Sequence, residues 1–218
     1  MSGLTQQRAL RLLCLAIFAL AMTHIAEAHR LDEYLQATRI SIEPGRIVVE
    51  INLTPGAAVA NDVIATIDRD GNGEISDTEG AGYASDVLHS VSLNVDGERH
   101  SLVLQNYEFP LSEKIRRGEG IIRLYAATTA GQVSSGPHQL RFANRHRSDI
   151  GVYLVNALVP VDDRIRIKAQ SRDFLQREYG VEYVVDSNVG SISAASISSV
   201  VGLALAAAVY TASRLKKR

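Results

Sequence analysis

Alternation between apolar and polar residues is the feature that most constrains this sequence, because a period of two is the pattern of a β-strand with one buried face. Residues 39–43 alternate in this way, and residues 47–53 alternate again. The pair Pro44-Gly45 lies between them and predicts a turn. The two segments therefore predict a β-hairpin and a fold that is built on sheets.

The same pattern continues through the middle of the chain. Residues 91–95 alternate before the pair Asp96-Gly97, which is a strong signal for a two-residue hairpin turn, and Leu102 and Leu104 follow it. Further strands are predicted at 121–126, 139–142, 150–155, 164–169 and 181–185. About eight short strands favour a mainly β fold, either a β-sandwich or an open barrel.

Residues 55–88 depart from the alternation and predict a helical insert in the β fold. Pro55 suits a first helical turn, with Thr54 as the N-cap. A second helix is expected from Thr78 to Leu88. The apolar residues with helical spacing in the first stretch are Val59, Val63, Ile64 and Ile67.

The segment between the two predicted helices, residues 68–79, has the spacing D-x-[DN]-x-[DN]-G-x5-E of a calcium-binding loop. Calcium takes about six to eight oxygen ligands, and this spacing offers oxygens at alternate positions, with Gly73 where the chain must turn sharply. The expected metal ligands are Asp68, Asp70, Asn72, Glu74 through its backbone carbonyl, Ser76 through a water molecule, and Glu79 with both carboxylate oxygens.

The loop resembles those of the EF-hand family, and the resemblance covers residues 54–88. It implies a Ca²⁺ cofactor held by a single helix-loop-helix. A plain polar turn is the alternative interpretation. The helical stretches on both sides, and the apolar Ile75 at the eighth loop position, argue against that alternative.

EF-hands usually occur in pairs, and this sequence contains one matching loop. Either Ile75 packs against the β domain, or the unpaired loop meets a second copy of the chain or another protein partner. A lone hand is less preorganised than a pair. We therefore expect a calcium dissociation constant of about 0.1–1 mM.

The first 28 residues predict a secretory signal peptide. Arg8 and Arg11 precede an apolar run, and residues 26–28 (Ala-Glu-Ala) have the small-x-small pattern of a cleavage site. An uncleaved membrane anchor is the alternative, but a run of about a dozen residues is too short to span about 30 Å of hydrocarbon. The single cysteine, Cys14, lies in this segment, so the mature chain is expected to form no disulfide.

Residues 188–213 predict a transmembrane helix, because no charged residue occurs from Ile192 to Ala212 and the basic cluster 214–218 follows. A buried core helix is the alternative, although core helices rarely end in such a cluster. The tail also resembles bacterial C-terminal sorting signals. We expect a single-pass membrane protein in which residues 29–187 form an exported domain, periplasmic or extracellular, and the C-terminal tail is cytoplasmic.

The charge distribution argues against nucleic acid as a partner. The net charge of the chain is -1, of which residues 1–28 contribute +1 and residues 213–218 contribute +4, so residues 29–212 carry -6. Nucleic acids are bound mainly by lysine and arginine. The sequence also contains no nucleophile elbow, zinc-protease motif or phosphate-binding glycine loop, so we do not expect an enzyme.

Cleavage after residue 28 suggests an alternative function in copper or nickel binding. It would leave His29 as the first residue, with an amine and an imidazole that together chelate such a metal. The opening residues 29–34 weakly resemble the starts of periplasmic domains of nickel and cobalt permeases, with Arg30 in place of the usual proline. The remaining mature histidines, which have no metal-ligand spacing and are predicted to lie on the surface or in strands, are His89, His100, His138 and His146.

Overall fold

The computed structural model of the chain describes residues 31–129 and 134–187. The predicted signal peptide, His29, the predicted transmembrane segment 188–213 and the basic tail lie outside these ranges. Strands make up 48% of the described residues and helices are few, so the protein is mainly β, as the alternation predicts. No helix within the two described ranges is both long enough and apolar enough to cross a membrane.

The described residues form two five-stranded sheets. In the order of hydrogen-bonded neighbours, the first sheet contains β5 (Val103–Glu108), β6 (Ile122–Thr129), β2 (Arg46–Pro55), β1 (Tyr34–Glu43) and β8 (Gly151–Ala157). The second contains β4 (Glu98–His100), β3 (Val91–Val95), β7 (Gly136–Asn144), β10 (Glu178–Val185) and β9 (Ile165–Arg172). All neighbours are antiparallel except β1 and β8, which run parallel.

Three helices are described: α1 (Ala60–Ile67), α2 (Asp77–His89) and the short α3 (Ser112–Arg116). The sequence predicts the first two but not α3. The buried faces of α1 and α2 consist of Ala60, Val63, Ile64, Ile67, Gly80, Tyr83, Ala84 and Val87. Side chains from both sheets and from all three helices enter one hydrophobic core, so burial of these faces fixes the helices on the β fold.

The prediction that a helix begins at Pro55 is wrong, because β2 continues to that residue. Thr54 pairs with Leu35, and Pro55 pairs with Tyr34 of β1, so Thr54 is not an N-cap. On the other side of β2, pairing with β6 reaches only to Leu53. Proline lacks a backbone N–H group. It is tolerated at this position because no strand pairs with Pro55 on the β6 side.

The predicted hairpin turn at Asp96-Gly97 is correct, but its second strand is not the predicted one. Both residues have positive φ angles, 51° and 87°, as a two-residue hairpin turn requires. The partner of β3 is the three-residue strand β4. Leu104 instead lies in β5, which pairs with β6 in the other sheet.

The two sheets have corresponding ends, which we name the exit end and the helix end. At the exit end, the turn Pro44-Gly45 lines one pocket together with Ile165 and Val185, where β9 begins and β10 finishes. At the helix end, β2 leads into α1, and α2 leads into β3. The calcium-loop sequence therefore lies at the helix end.

Candidate calcium site

The loop between α1 and α2 has a cap residue at each end and two glycines between them. Asp68 is the C-cap of α1 and is 9% exposed, and Ser76 is the N-cap of α2. Between them, Gly71 and Gly73 have φ angles of 71° and 88°. Residues other than glycine rarely adopt such angles, so the two glycines let the chain reverse within the loop.

Carboxylate and amide oxygens inside the loop accept its backbone N–H groups. Asp68 accepts the N–H of Asn72 at 3.1 Å and the N–H of Gly73 at 2.8 Å. Asp70 Oδ1 also accepts the N–H of Asn72, at 3.1 Å. Asn72 Oδ1 in turn accepts the N–H of Glu74 at 2.7 Å. These bonds orient the side-chain oxygens toward the inside of the loop.

Glu79 closes the loop from the first turn of α2. One of its oxygens accepts the N–H groups of Arg69 and Asp70 at 2.7 and 3.3 Å, and the other accepts the N–H and hydroxyl of Ser76 at 2.9 and 2.7 Å. The Ser76 hydroxyl and N–H, followed by the other two donors, lower the pKa of Glu79 to about 2, so this carboxylate is ionised at neutral pH.

Three of the predicted ligands lie together in space. One carboxylate oxygen from each of Asp68, Asp70 and Glu79 lies within 4.8 Å of the others. Calcium–oxygen distances are about 2.3–2.6 Å, so oxygens on opposite sides of one ion are about 5 Å apart. The three oxygens therefore lie close enough together to bind a single metal ion. Within residues 31–129 and 134–187, no other group of three metal-ligating side chains is this close.

The other three predicted ligands lie in the same loop with different contacts. Asn72 donates from Nδ2 to Asp70 Oδ2 at 2.9 Å, and the Ser76 hydroxyl donates to Glu79. The Glu74 side chain is exposed. The 12-residue segment contains five carboxylates and one arginine, so its excess negative charge favours a cation.

Contacts outside the loop attach it to the rest of the domain. Ile75 is partly buried and packs against the common hydrophobic core. The Tyr107 hydroxyl of β5 donates to the carbonyl of Asp77 at 3.1 Å. Arg69 forms a 3.0 Å ion pair with Asp86 of α2. Ile75 therefore makes the contact with the fold that the first of the two alternatives predicts.

The last residues of the loop carry a sequence signal for the start of α2. Ser76 and Glu79 form a capping box, in which each side chain accepts the backbone N–H of the other residue. The pattern S-x-x-E is a sequence-level mark of a helix start. It places the helix at Asp77, one residue before the predicted Thr78.

A buried hydrogen-bond network joins α2 to the β-strands, and no sequence pattern predicts it. The Tyr83 hydroxyl of α2 lies 2.6 Å from the Tyr34 hydroxyl of β1 and 3.0 Å from His146 Nε2. Gln36 and the Tyr153 hydroxyl donate to the His146 carbonyl at 2.7 and 2.8 Å. The prediction that His146 lies on the surface or in a strand is therefore wrong, because it is buried in the loop that joins β7 to β8.

Burial controls protonation in this network. Burial, with a smaller effect of the nearby Arg147 guanidinium, lowers the pKa of His146 to about 4. Burial also raises the pKa of Tyr83 to about 12. At neutral pH the rings of Tyr34, Tyr83 and His146 are therefore uncharged, so the network brings no unpaired charge into the core.

The described histidines belong to no group of three metal-ligating side chains. His138 is bonded to the Asp96 carboxylate at 2.6 Å, and His146 is bonded to Tyr83. His89 and His100 lie in α2 and β4 and belong to no cluster of metal-ligating side chains in the described ranges. His29 lies outside those ranges.

Comparison of the chain with protein-family models gave no match, and comparison with curated proteins gave none either.

Proposed function

We propose that this protein is a membrane-anchored, exported β domain that binds one Ca²⁺ ion through an EF-hand-like loop. In this proposal the two sheets form a sandwich, α1 and α2 are the two helices of the hand, and residues 68–79 bind the ion. The predicted signal peptide and transmembrane segment place the domain on the outer side of the membrane.

The observation that carries the proposal is the close group of Asp68, Asp70 and Glu79 within a loop of calcium-binding spacing. The spacing alone is a sequence pattern, and three neighbouring acids alone are common on protein surfaces. Their combination is more specific, because three of the residues that the pattern names have oxygens close enough to bind one ion.

The expected affinity suits an exported domain. Extracellular calcium modules bind with dissociation constants of about 0.1–1 mM, and a single hand belongs in that range. The ion would then add a structural cross-link between the start of α2 and the end of α1. Ile75 packs against the core, so the fold itself supports the loop that a second hand supports in paired EF-hands.

Calorimetric titration of residues 29–187 tests this function, because every described element lies inside this fragment. Calcium should bind once, with a dissociation constant of about 0.1–1 mM, and magnesium should bind more weakly because it requires near-octahedral geometry. Copper and nickel are the other two titrants. A fragment that binds copper or nickel but not calcium would contradict the proposal and favour the alternative site at His29.

A further inference from the structure

An exposed apolar loop connects β8 to β9. Residues 158–161 have the sequence Leu-Val-Pro-Val, and Val159 and Val161 are 87% and 94% exposed. The loop begins at a fixed point, because the N–H of Leu158 donates to the carbonyl of Ile40 at 2.8 Å. Burial of Val159 and Val161 against an apolar surface would be favourable, because both side chains are now exposed to water. The loop therefore suits an apolar partner.

The chain leaves the described domain beside this loop. Val185, the last residue of β10, pairs with Ile165, the first residue of β9. The N–H of Asp186 then donates to the carbonyl of Arg164 at 2.8 Å. Seven peptide bonds join Val185 to Ile192, where the apolar run begins, and this stretch spans at most about 25 Å. A transmembrane helix that begins there would keep the exit end close to the bilayer.

The charges around the loop neither attract nor strongly repel a lipid surface. Asp162 pairs with Arg164 at 2.8 Å, and Arg166 pairs with Asp186 at 2.8 Å. Together with Asp163, these five residues carry a net charge of -1. A contact made by this loop should therefore be apolar and should not require anionic lipid.

We propose that residues 158–161 contact the lipid bilayer beside the anchor, with Val159 and Val161 at the boundary between headgroups and acyl chains. This contact rests on the membrane anchor of the proposed function. It would hold the domain with its exit end on the membrane. The calcium loop, at the helix end of strands about 30 Å long, would face away from the bilayer into the surrounding solution.

Tryptophan fluorescence tests the contact cleanly, because the chain contains no tryptophan. The probe is Val161→Trp in the full chain, reconstituted into phosphatidylcholine vesicles whose acyl chains are brominated near the headgroup. The matched control is Phe174→Trp in the turn from β9 to β10, which is 99% exposed and lies about 23 Å from the exit end along β9. Bromine should quench the Val161→Trp emission at least about twofold and leave the control nearly unchanged, since interfacial side chains reach only about 5–10 Å into the bilayer.

Three outcomes would overturn the contact. Val161→Trp and Val159→Trp both unquenched in vesicle-bound protein would show that the loop does not reach lipid. Blue-shifted emission without quenching would show that protein covers it. A chain that fails to float with the vesicles would remove both the anchor and the contact, while the calcium titration would still decide the metal site separately. Quenching that persists at high salt and without anionic lipid is the expected result.

Discussion

Glu79 combines two tasks in one carboxylate. As the third residue of α2 it caps the helix, and as the twelfth residue of the loop it is the expected bidentate ligand. Its two oxygens already accept four hydrogen bonds, about as many as a carboxylate has lone-pair positions. Calcium binding is therefore expected to replace some of these bonds, and the Ser76 hydroxyl is the donor most free to rotate away.

Glu79→Gln should weaken calcium binding at least about tenfold, which corresponds to about 1.4 kcal/mol, because one charged bidentate ligand becomes a neutral and poorer one. Stability without calcium should also decrease, since the glutamine oxygen can keep the capping-box bond but its amide nitrogen cannot accept the two hydrogen bonds on the other side. The matched control is Glu74→Gln. The Glu74 side chain is exposed, and this residue is expected to bind calcium through its backbone carbonyl. Equal calcium affinities for Glu79→Gln and wild type, measured by calorimetry, would contradict the EF-hand interpretation.

His146 should make the stability of the domain depend on pH. Its folded-state pKa of about 4 lies below the ordinary value of 6.5. As the pH falls from about 6.5 to 4, the unfolded chain takes up a proton that the folded chain does not. The free energy of unfolding therefore decreases in this window and keeps its full value above it. Between pH 7.5 and 5, His146 by itself should account for a loss of about 2 kcal/mol in the free energy of unfolding.

Urea unfolding at pH 7.5 and pH 5 measures this loss. In His146→Gln, the difference in unfolding free energy between the two pH values should be smaller than in wild type by about 2 kcal/mol. His89→Gln, on the exposed surface of α2, is the control and should keep the wild-type difference. An unchanged pH dependence in His146→Gln would show that this ring does not remain neutral in the folded protein.

At the scale of elements, replacing glycine by alanine should have opposite effects on stability in a turn and in a helix. Gly97 has a φ of 87° in the β3–β4 turn, and a Cβ there would meet no atom within 4 Å, so only the backbone angle opposes alanine. Gly82 lies within α2, and a Cβ would meet only the Arg69 guanidinium, at ordinary contact distances of 3.9 Å and above. The turn therefore requires glycine and the helix does not.

Gly97→Ala should destabilise the domain by about 1 kcal/mol, and Gly82→Ala should stabilise it by about 0.5–1 kcal/mol. Chemical denaturation of residues 29–187 gives both values, and each variant serves as the control for the other. Destabilisation by Gly82→Ala would show that α2 packs more tightly around this position than its neighbouring atoms indicate.

At the scale of the whole molecule, calcium should stabilise the exported domain. An ion that binds only the folded state at ten times its dissociation constant contributes about 1.4 kcal/mol, or about 3–5 °C in melting temperature for a domain of this size. Magnesium should contribute less, and calcium should have little effect on Glu79→Gln. A melting temperature that millimolar calcium leaves unchanged would show that the loop does not bind the ion.

Membrane orientation is also a property of the whole chain. Protease added outside the inner membrane should digest residues 29–187 and spare the extreme C-terminus, because basic residues beside a spanning helix remain cytoplasmic. Membrane retention should weaken when the four basic residues of the tail, Arg214, Lys216, Lys217 and Arg218, are replaced by neutral ones. Cleavage of the C-terminus with protection of the domain would mean that the orientation is inverted.

The sequence by itself determined the features that depend on neighbouring residues. The β1–β2 hairpin, the Asp96-Gly97 turn and the start of α2 follow from alternation, turn chemistry and helix spacing, all of which act over a few residues. The calcium-loop spacing belongs to the same class, because residues 68–79 bring their oxygens together by local turns. Asp68, Asp70 and Glu79 meet for that reason.

Only the tertiary structure decided what depends on distant partners. β5 joins β6 rather than β3, and β1 gains the parallel partner β8 about 117 residues away in the chain. Pro55 stays in a strand because Tyr34 pairs with it, although its local sequence suits a helix start. His146 is buried because Tyr83 and Gln36, far away in the sequence, supply its hydrogen bonds. Such pairings depend on which surfaces the folded chain buries against each other, and that is not encoded in any short segment.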